Sequence, residues 1–192
     1  MSSNDNPVAS FPSAEAWTTW LDQNHRSSAG IWLRISKKGA AAPSVTYPEA
    51  LEAALCFGWI DGQKRPHDAH AWLQRFVPRS QRSIWSRINR EKAETLIAQG
   101  RMQPAGHGAI EQAKKNGRWE SAYEGSRRST VPEDLQAALQ ANPGAKAFFE
   151  TLDSANRYAV LFRIQTVKKA DTRVRKIAQF VEMLARKERI HP

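Results

Sequence analysis

The chain has 192 residues, and 29 lysines and arginines against 19 aspartates and glutamates give it a formal net charge of +10. No run of about 18 apolar residues occurs, so we expect no membrane span. The N-terminus lacks the basic start and apolar core of a secretory signal. The single cysteine excludes an internal disulfide, and the cytoplasm is therefore the expected compartment.

The positive charge is concentrated in two blocks of the chain. Residues 75–128 carry 12 basic and 5 acidic side chains, and residues 157–192 carry 10 and 3. Residues 1–74 and 129–156 are each net negative. Such blocks are typical of an electrostatic footprint for an anionic ligand or a nucleic acid. The alternative is a solvated basic surface that only aids solubility.

Residues 1–12 are rich in serine, asparagine and proline, so we expect a disordered N-terminus. Ser13 then begins the first predicted helix, which carries Trp17 and Leu21 on one face. Apolar residues alternate along residues 31–36, and this period predicts a strand.

The next predicted helix opens with Thr46-Tyr47-Pro48-Glu49, which has the form of a capping box. In such a box Thr46 accepts from the amide of Glu49, and the Glu49 carboxylate accepts from the amide of Thr46. Gly58 supplies a left-handed stop at the other end. Nearly all residues between these ends are apolar, so we expect a helix that is buried on most sides.

Two strands are predicted at residues 59–65 and 71–77, joined by a hairpin loop and closed by Pro78. In a regular strand Asp61 and Lys64 lie on opposite faces of the sheet. The Asp61-Gly62 pair is equally compatible with a turn or a bulge, so this orientation stays open.

Helices are then expected over residues 90–99, with Asn89 as the N-cap, and from Pro104 to Gly117. Residues 124–130 form a predicted linker. Thr130 and Glu133 form a second candidate capping box. The remaining helices are predicted at residues 132–141, 143–152, 154–167 and 170–188.

These elements predict an α+β fold, in which a small antiparallel β-sheet packs against helices and a C-terminal helical region follows. The expected organisation is a disordered segment over residues 1–12, an α+β core domain over 13–128 and a helical region over 129–192.

Several long motifs resemble one family. The stretch ALCFGWIDGQ is followed by WLQRF-x-PR and S-x-WS-x-x-N, and the C-terminal part reads VPEDLQAAL, FFETLD and VKKADTRVRKIAQFVEMLA. From Trp17 onward the chain resembles the YdeI/OmpD-associated family of bacterial proteins, also called bacteriocin-protection proteins. The resemblance implies a link to envelope stress or antimicrobial-peptide tolerance, and no list of catalytic residues. Members often carry proline where this chain has Ala170.

One cluster of residues could bind a ligand, because it places an acid among cations and tryptophans. The alternatives are that Asp61 neutralises neighbouring arginines or caps a turn, and that the tryptophans belong to the core. Arginines alternate with tryptophans in the basic block 75–90, a pattern compatible with stacking bases and holding phosphates. The candidate binding residues are Trp59, Asp61, Lys64, Arg75, Arg79, Arg82 and Trp85.

Two other groups are better explained as structural. Cys56 is expected to remain a thiol, because Glu49 and Glu52 would share its helix face. His67 and His70 lie in a predicted loop with no second cluster of ligands, so we expect neither a metal nor a cofactor.

The sequence thus favours a bacterial protein without catalytic activity, linked by resemblance to peptide tolerance. Two alternatives stay open. One is a nucleic-acid or anionic-ligand binding module that uses the basic block 75–90. The other is an enzyme with a pocket around Asp61.

Overall fold

The computed structural model describes residues 6–40 and 42–192. The chain divides into two compact units, one comprising residues up to 85 with 89–120, the other comprising 86–88 with 121–192. The first unit contains a sheet and helices, and the second is helical. The predicted α+β fold with a C-terminal helical region is confirmed. The long segment of the second unit begins at residue 121, rather than at the predicted 129.

A four-stranded mixed sheet forms the centre of the first unit. Its strands lie in the order β1-β2-β4-β3, with β1 parallel to β2 and the other pairs antiparallel. The strands are β1 (Val8–Ala9), β2 (Ile31–Ser36), β3 (Trp59–Pro66) and β4 (Ala71–Pro78). The predicted disorder is therefore wrong for Val8–Ala9, where Trp32 donates its amide to the carbonyl of Pro7 at 2.8 Å. Residues 1–5 lie outside the described part of the chain.

The register of the sheet assigns each side chain to a face. Phe76 pairs with Ile31 on one side and with Asp61 on the other, so these three share the face that packs on helices. A bulge interrupts β3 between Asp61 and Lys64, and Lys64 then pairs with Gln74. Because Gln74 and Phe76 share a face, the bulge returns Lys64 to the face of Asp61. Of the arrangements left open for the Asp61-Gly62 pair, the bulge is therefore the one present.

Helices α1 (Ala14–Asn24) and α2 (Tyr47–Cys56) precede and follow β2. Trp17 of α1 is fully buried, and its ring lies 5.7 Å from that of Phe76 on the sheet. The indole N–H of Trp17 donates to the carbonyl of Ala50 in α2 at 3.1 Å. The predicted capping box at Thr46 is present in both directions, and six of the ten α2 residues are buried.

Helices α3 (Arg87–Ala98) and α4 (Pro104–Lys115) complete the first unit, although residues 87 and 88 belong to the second. The prediction that Asn89 caps α3 is wrong, because the helix starts two residues earlier. The amide of Arg87 donates to the carbonyl of Tyr123 at 2.9 Å, and this bond satisfies a first-turn donor that a cap would otherwise serve.

The second unit is a helical bundle with its own core. Its helices are α5 (Glu133–Gln140), α6 (Pro143–Glu150), α7 (Ser154–Gln165) and α8 (Ala170–Ala185). Leu135, Val160, Ile164 and Leu184 are fully buried at its centre. The predicted capping box at Thr130 is wrong, because Pro132 occupies the N-cap position and has no side-chain acceptor to offer the first turn of α5. Within residues 6–40 and 42–192, no helix is long and apolar enough to cross a membrane.

Candidate functional site

A cavity of about 260 Å³ lies in the first unit between α4 and the segment that follows β4. One wall is a single face of α4, on which residues recur every three or four positions. The other wall is the polar loop after Pro78, and Gly58 at the end of α2 closes the space. The residues from α4 are Ala105, Gly108, Ala109, Gln112, Ala113 and Asn116, and those from the loop are Arg79, Ser80, Gln81, Ser83 and Trp85.

The loop wall is held in shape by its own serines. Pro78 ends β4, and the amide of Arg79 then donates to the carbonyl of Gly58 at 2.9 Å. The Ser83 hydroxyl accepts from the amide of Ser80 at 3.0 Å, and the Ser80 hydroxyl accepts from the amide of Arg82 at 3.2 Å. These bonds make a compact turn of which Ser80 and Ser83 are the ends, directly after Arg79.

Arg79 and Trp85 form the most distinctive contact of the cavity. The guanidinium carbon of Arg79 lies 3.5 Å from the centre of the Trp85 ring, and one of its terminal nitrogens donates to the carbonyl of Ile84 at 3.2 Å. Trp85 is only 3% exposed and packs edge-on against Trp119 at 4.8 Å. Trp85 is therefore a core residue whose ring fixes the guanidinium beside the cavity.

Small residues determine the depth of the cavity. Gly58 has φ +71°, and a Cβ at this position would lie 2.7 Å from the carbonyl oxygen of Ala105, so α4 approaches the end of α2 closely. At Gly106 a Cβ would collide with the carbonyl of Cys56. At Gly108, by contrast, a Cβ would meet nothing within 4 Å, because the space beside it is the cavity itself.

The charge that lines the cavity is positive and comes from the loop wall. Among the described residues that line it, Arg79 is the single charged side chain, and the other polar groups are serine hydroxyls and the amides of Gln81, Gln112 and Asn116. A guanidinium with neutral donors around it suits a carboxylate or a phosphate. None of these lining groups is an ordinary general acid or base at neutral pH.

The structure places the residues predicted around Asp61 elsewhere. Asp61 accepts a hydrogen bond from the Tyr47 hydroxyl at 2.8 Å, and Trp59 donates its indole N–H to the carbonyl of His25 at 3.2 Å. The ammonium of Lys64 lies 4.8 Å from the centre of the Trp72 ring. These three side chains are absent from the described lining of the Arg79 cavity.

The arginines of the basic block 75–90 have different local surroundings. Arg75 is on the sheet face away from Phe76, where its Nε donates to the side chain of Asn6 at 3.1 Å. Arg82 is exposed at the turn, while Arg87 belongs to the second unit and pairs with Glu124 at 3.0 Å. Of the predicted candidates, Arg79 and Trp85 are brought together, and Arg82 lies in the adjoining loop.

Cys56 is buried as predicted, although the cause differs in part. Burial raises the pKa of its thiol most, Arg101 opposes this shift, and Glu52 adds a smaller rise. Glu49 is instead engaged with Thr46 at the start of α2. In the His67–His70 loop, Asp68 accepts from the amide of His70, and the described residues hold no group of three metal-ligating side chains.

The wall supplied by α4 was missed from the sequence. Its signal is the spacing of Gly108, Gln112 and Asn116, which recur every four residues and so share one helix face. That pattern predicts a stripe of polar side chains along the helix, with no side chain at Gly108. It does not indicate what lies opposite, because the loop wall is some 30 residues away in the chain.

Two family models match the chain. Residues 9–109 match the model described as Domain of unknown function (DUF8412), and residues 128–187 match the model described as Bacteriocin-protection, YdeI or OmpD-Associated. The resemblance to the YdeI/OmpD-associated family is thus confirmed over residues 128–187, whereas the stretch around Trp59 matches the other model. No curated protein and no solved structure matches the chain.

Proposed function

The chain belongs to the family described as Domain of unknown function (DUF8412), which its residues 9–109 match, and from the site geometry we propose that it binds a small anionic ligand without transforming it. The ligand occupies the cavity beside α4. The observation that carries this proposal is the Arg79 guanidinium, stacked on the buried Trp85 as the single charge among the described lining residues.

The ligand is small because the cavity is small, at about 260 Å³. Arg79 holds its carboxylate or phosphate group, and the stack on Trp85 restricts the guanidinium to few orientations, so that little entropy is lost on binding. Gln112 on α4 offers an amide donor to the same group, whereas the amide of Asn116 already donates to the carbonyl of Gln81 at 3.1 Å. The lack of an ordinary acid or base in the described lining favours binding over catalysis.

The same proposal extends to the role of the protein in the cell. The match of residues 128–187 to the bacteriocin-protection family supports a role in tolerance to antimicrobial peptides, as part of an envelope-stress response. A cytoplasmic location belongs to this proposal and is supported by the single buried cysteine. In this role the bound anion reports a metabolic state, and the peptide itself is not the ligand of the cavity.

The test is binding of defined anions to the full chain. Inorganic phosphate, a phosphate monoester and a small aromatic carboxylate are titrated by calorimetry and by the shift of the indole N–H resonances. We expect one of these probes to bind to the unmodified protein. Arg79→Gln should weaken that binding tenfold or more, because it removes a charge-assisted hydrogen bond worth about 1.5–3 kcal/mol. Failure of all three probes to bind would overturn the proposal.

Two further variants distinguish binding in the cavity from nonspecific attraction to the positive charge of the protein. Gly108→Leu fills the empty space beside Gly108 without touching a cation, and leucine is a better helix former than glycine, so the variant should fold and lose binding. Arg82→Gln removes a charge from the neighbouring exposed turn and should leave affinity within about threefold, since exposed charges interact weakly. Equal losses in Arg79→Gln and Arg82→Gln would contradict a specific site. In cells, Gly108→Leu should fail to restore bacteriocin tolerance to a strain lacking the protein.

A further inference from the structure

A second arginine–tryptophan pair lies on the opposite side of the sheet from the helices. Trp32 pairs with Arg75 across β2 and β4, and both point away from the face of Phe76. In the next row Leu73 pairs with Arg34 on one side and with Arg65 on the other. We call this set of four polar and aromatic residues the arginine face: Trp32, Arg34, Arg65 and Arg75.

Trp32 is the centre of the arginine face. The guanidinium carbon of Arg65 lies 4.1 Å from the centre of its ring, and the residue is only 3% exposed. Its indole nitrogen is buried and has no hydrogen-bond partner among the described residues. A buried donor without a partner is costly and therefore uncommon. Because this nitrogen is out of reach of solvent, the part of Trp32 in the site is its ring, which supports the Arg65 guanidinium.

The charges of the arginine face are incompletely neutralised. Arg34 lies 3.5 Å from the carboxylate of Asp68, a long and partly exposed pair. Arg75 donates to the neutral side chain of Asn6. Arg65 stacks on Trp32 and makes no ion pair with any residue in the described part of the chain. Three guanidiniums thus share one carboxylate, and the surface is complementary to a polyanion.

The spacing of the arginines suits an extended ligand. Adjacent strands lie about 4.8 Å apart, so Arg34 and Arg65, on either side of Leu73, originate roughly 10 Å from each other. Arg75 is two residues along β4 from Leu73, a displacement of about 7 Å. Positions this far apart match successive phosphates of one strand better than they match a single small anion.

We propose that the arginine face binds single-stranded nucleic acid. The guanidiniums of Arg34 and Arg75 contact phosphates, and a base stacks on the outer side of the Arg65 guanidinium, which Trp32 supports from below. A single strand is favoured over a duplex because stacking requires an unpaired base. This surface is separate from the Arg79 cavity, so it does not rest on the function proposed there.

The test is fluorescence anisotropy of the full chain with a labelled oligothymidylate at several salt concentrations. We expect salt-dependent binding by the unmodified protein. The double variant Arg65→Gln/Arg75→Gln should bind more weakly, because it removes the stacking platform at Arg65, and should flatten the salt slope by roughly 0.7, because Arg75 makes the one phosphate contact that is lost. The matched control is Arg90→Gln/Arg186→Gln, which removes the same net charge from arginines that already pair with carboxylates. That control should leave the slope unchanged.

Four outcomes would overturn the proposal. The first is no binding by the unmodified protein at low salt. The second is an equal loss of affinity in the two double variants, since total charge alone would then explain binding. The third is equal affinity for the same sequence as a duplex. The fourth is capture by vesicles of anionic phospholipid that depends on Arg65 and Arg75 while oligothymidylate does not bind, which would assign the face to a membrane. Arg79→Gln should not alter oligothymidylate binding, so the two proposals can fail independently.

Discussion

The Arg79–Trp85 pair and the Arg65–Trp32 pair are the same contact in two different settings. Both tryptophans are 3% exposed, and in both the guanidinium lies over the ring, at 3.5 Å and 4.1 Å. The first pair faces a cavity with a helix opposite, and the second lies on the face of a sheet. The chemistry of the pair is therefore shared, while its surroundings decide whether a compact or an extended anion fits.

In both pairs the tryptophan ring and the arginine cation have different roles. In each pair the tryptophan is buried and contributes to stability, whereas the arginine supplies the positive charge. Truncating a ring should therefore change the free energy of unfolding, and neutralising a cation should change binding. Variants of the two pairs test this division.

Trp85→Ala should lower the free energy of unfolding by roughly 3–5 kcal/mol, because it removes a buried ring that packs edge-on against Trp119. The measurement is denaturant unfolding of the variant and the unmodified protein. Arg79→Gln is the comparison variant and should lose much less stability. A Trp85→Ala protein with unchanged stability and abolished anion binding would mean that the ring is a platform for the ligand rather than a part of the core.

Trp59→Phe and Trp32→Phe should differ in stability, although both remove the same indole N–H. The Trp59 donor bonds to the carbonyl of His25, so its loss leaves a buried acceptor and should cost about 1–3 kcal/mol. The Trp32 donor has no partner among the described residues, so its loss should cost little or stabilise the fold. Unfolding midpoints of the two variants provide the measurement. Equal costs would show that the Trp32 nitrogen already has an acceptor in the free protein.

Much of the fold follows from local signals in the sequence. The capping box at Thr46, the stop at Gly58 and the strand end at Pro78 each depend on residues within a few positions of one another, and the structure confirms them. The predicted N-caps of α3 and α5 were wrong, and for α3 the reason is a bond between residues far apart in the chain. Asn89 is not needed as a cap because Tyr123 supplies the acceptor, and no local pattern encodes a bond over that separation.

The candidate sites were less predictable than the fold. Arg79 and Trp85 were found because they are close in sequence, but the α4 wall opposite them depends on tertiary packing. The assignment of Lys64 to a face of the sheet depended on a regular alternation of side chains along β3, and the bulge interrupts that alternation. The arginine face was missed because Arg34 and Arg65 come from different strands and adjoin only through the register of β4.

The smallest expected effect concerns α2, whose far end forms part of the cavity at Gly58. Thr46 donates its hydroxyl to the Glu49 carboxylate at 2.7 Å and its amide to the same oxygen at 2.9 Å. Thr46→Ala should therefore cost about 1 kcal/mol of unfolding free energy at neutral pH. Thr46→Ser keeps the hydroxyl and is the matched control, with an expected cost of only a few tenths.

The cost of Thr46→Ala should also depend on pH. The hydrogen bond from Thr46 is the largest cause that lowers the pKa of Glu49 below its ordinary value of 4.5. A carboxyl whose pKa is lower in the folded state contributes stability above its unfolded pKa and loses it as the pH falls through the folded value. Denaturant unfolding of both proteins at neutral pH and well below the ordinary pKa of Glu49 should therefore show the difference shrink on acidification. If the difference stayed constant, the hydroxyl would cap the helix without the carboxylate.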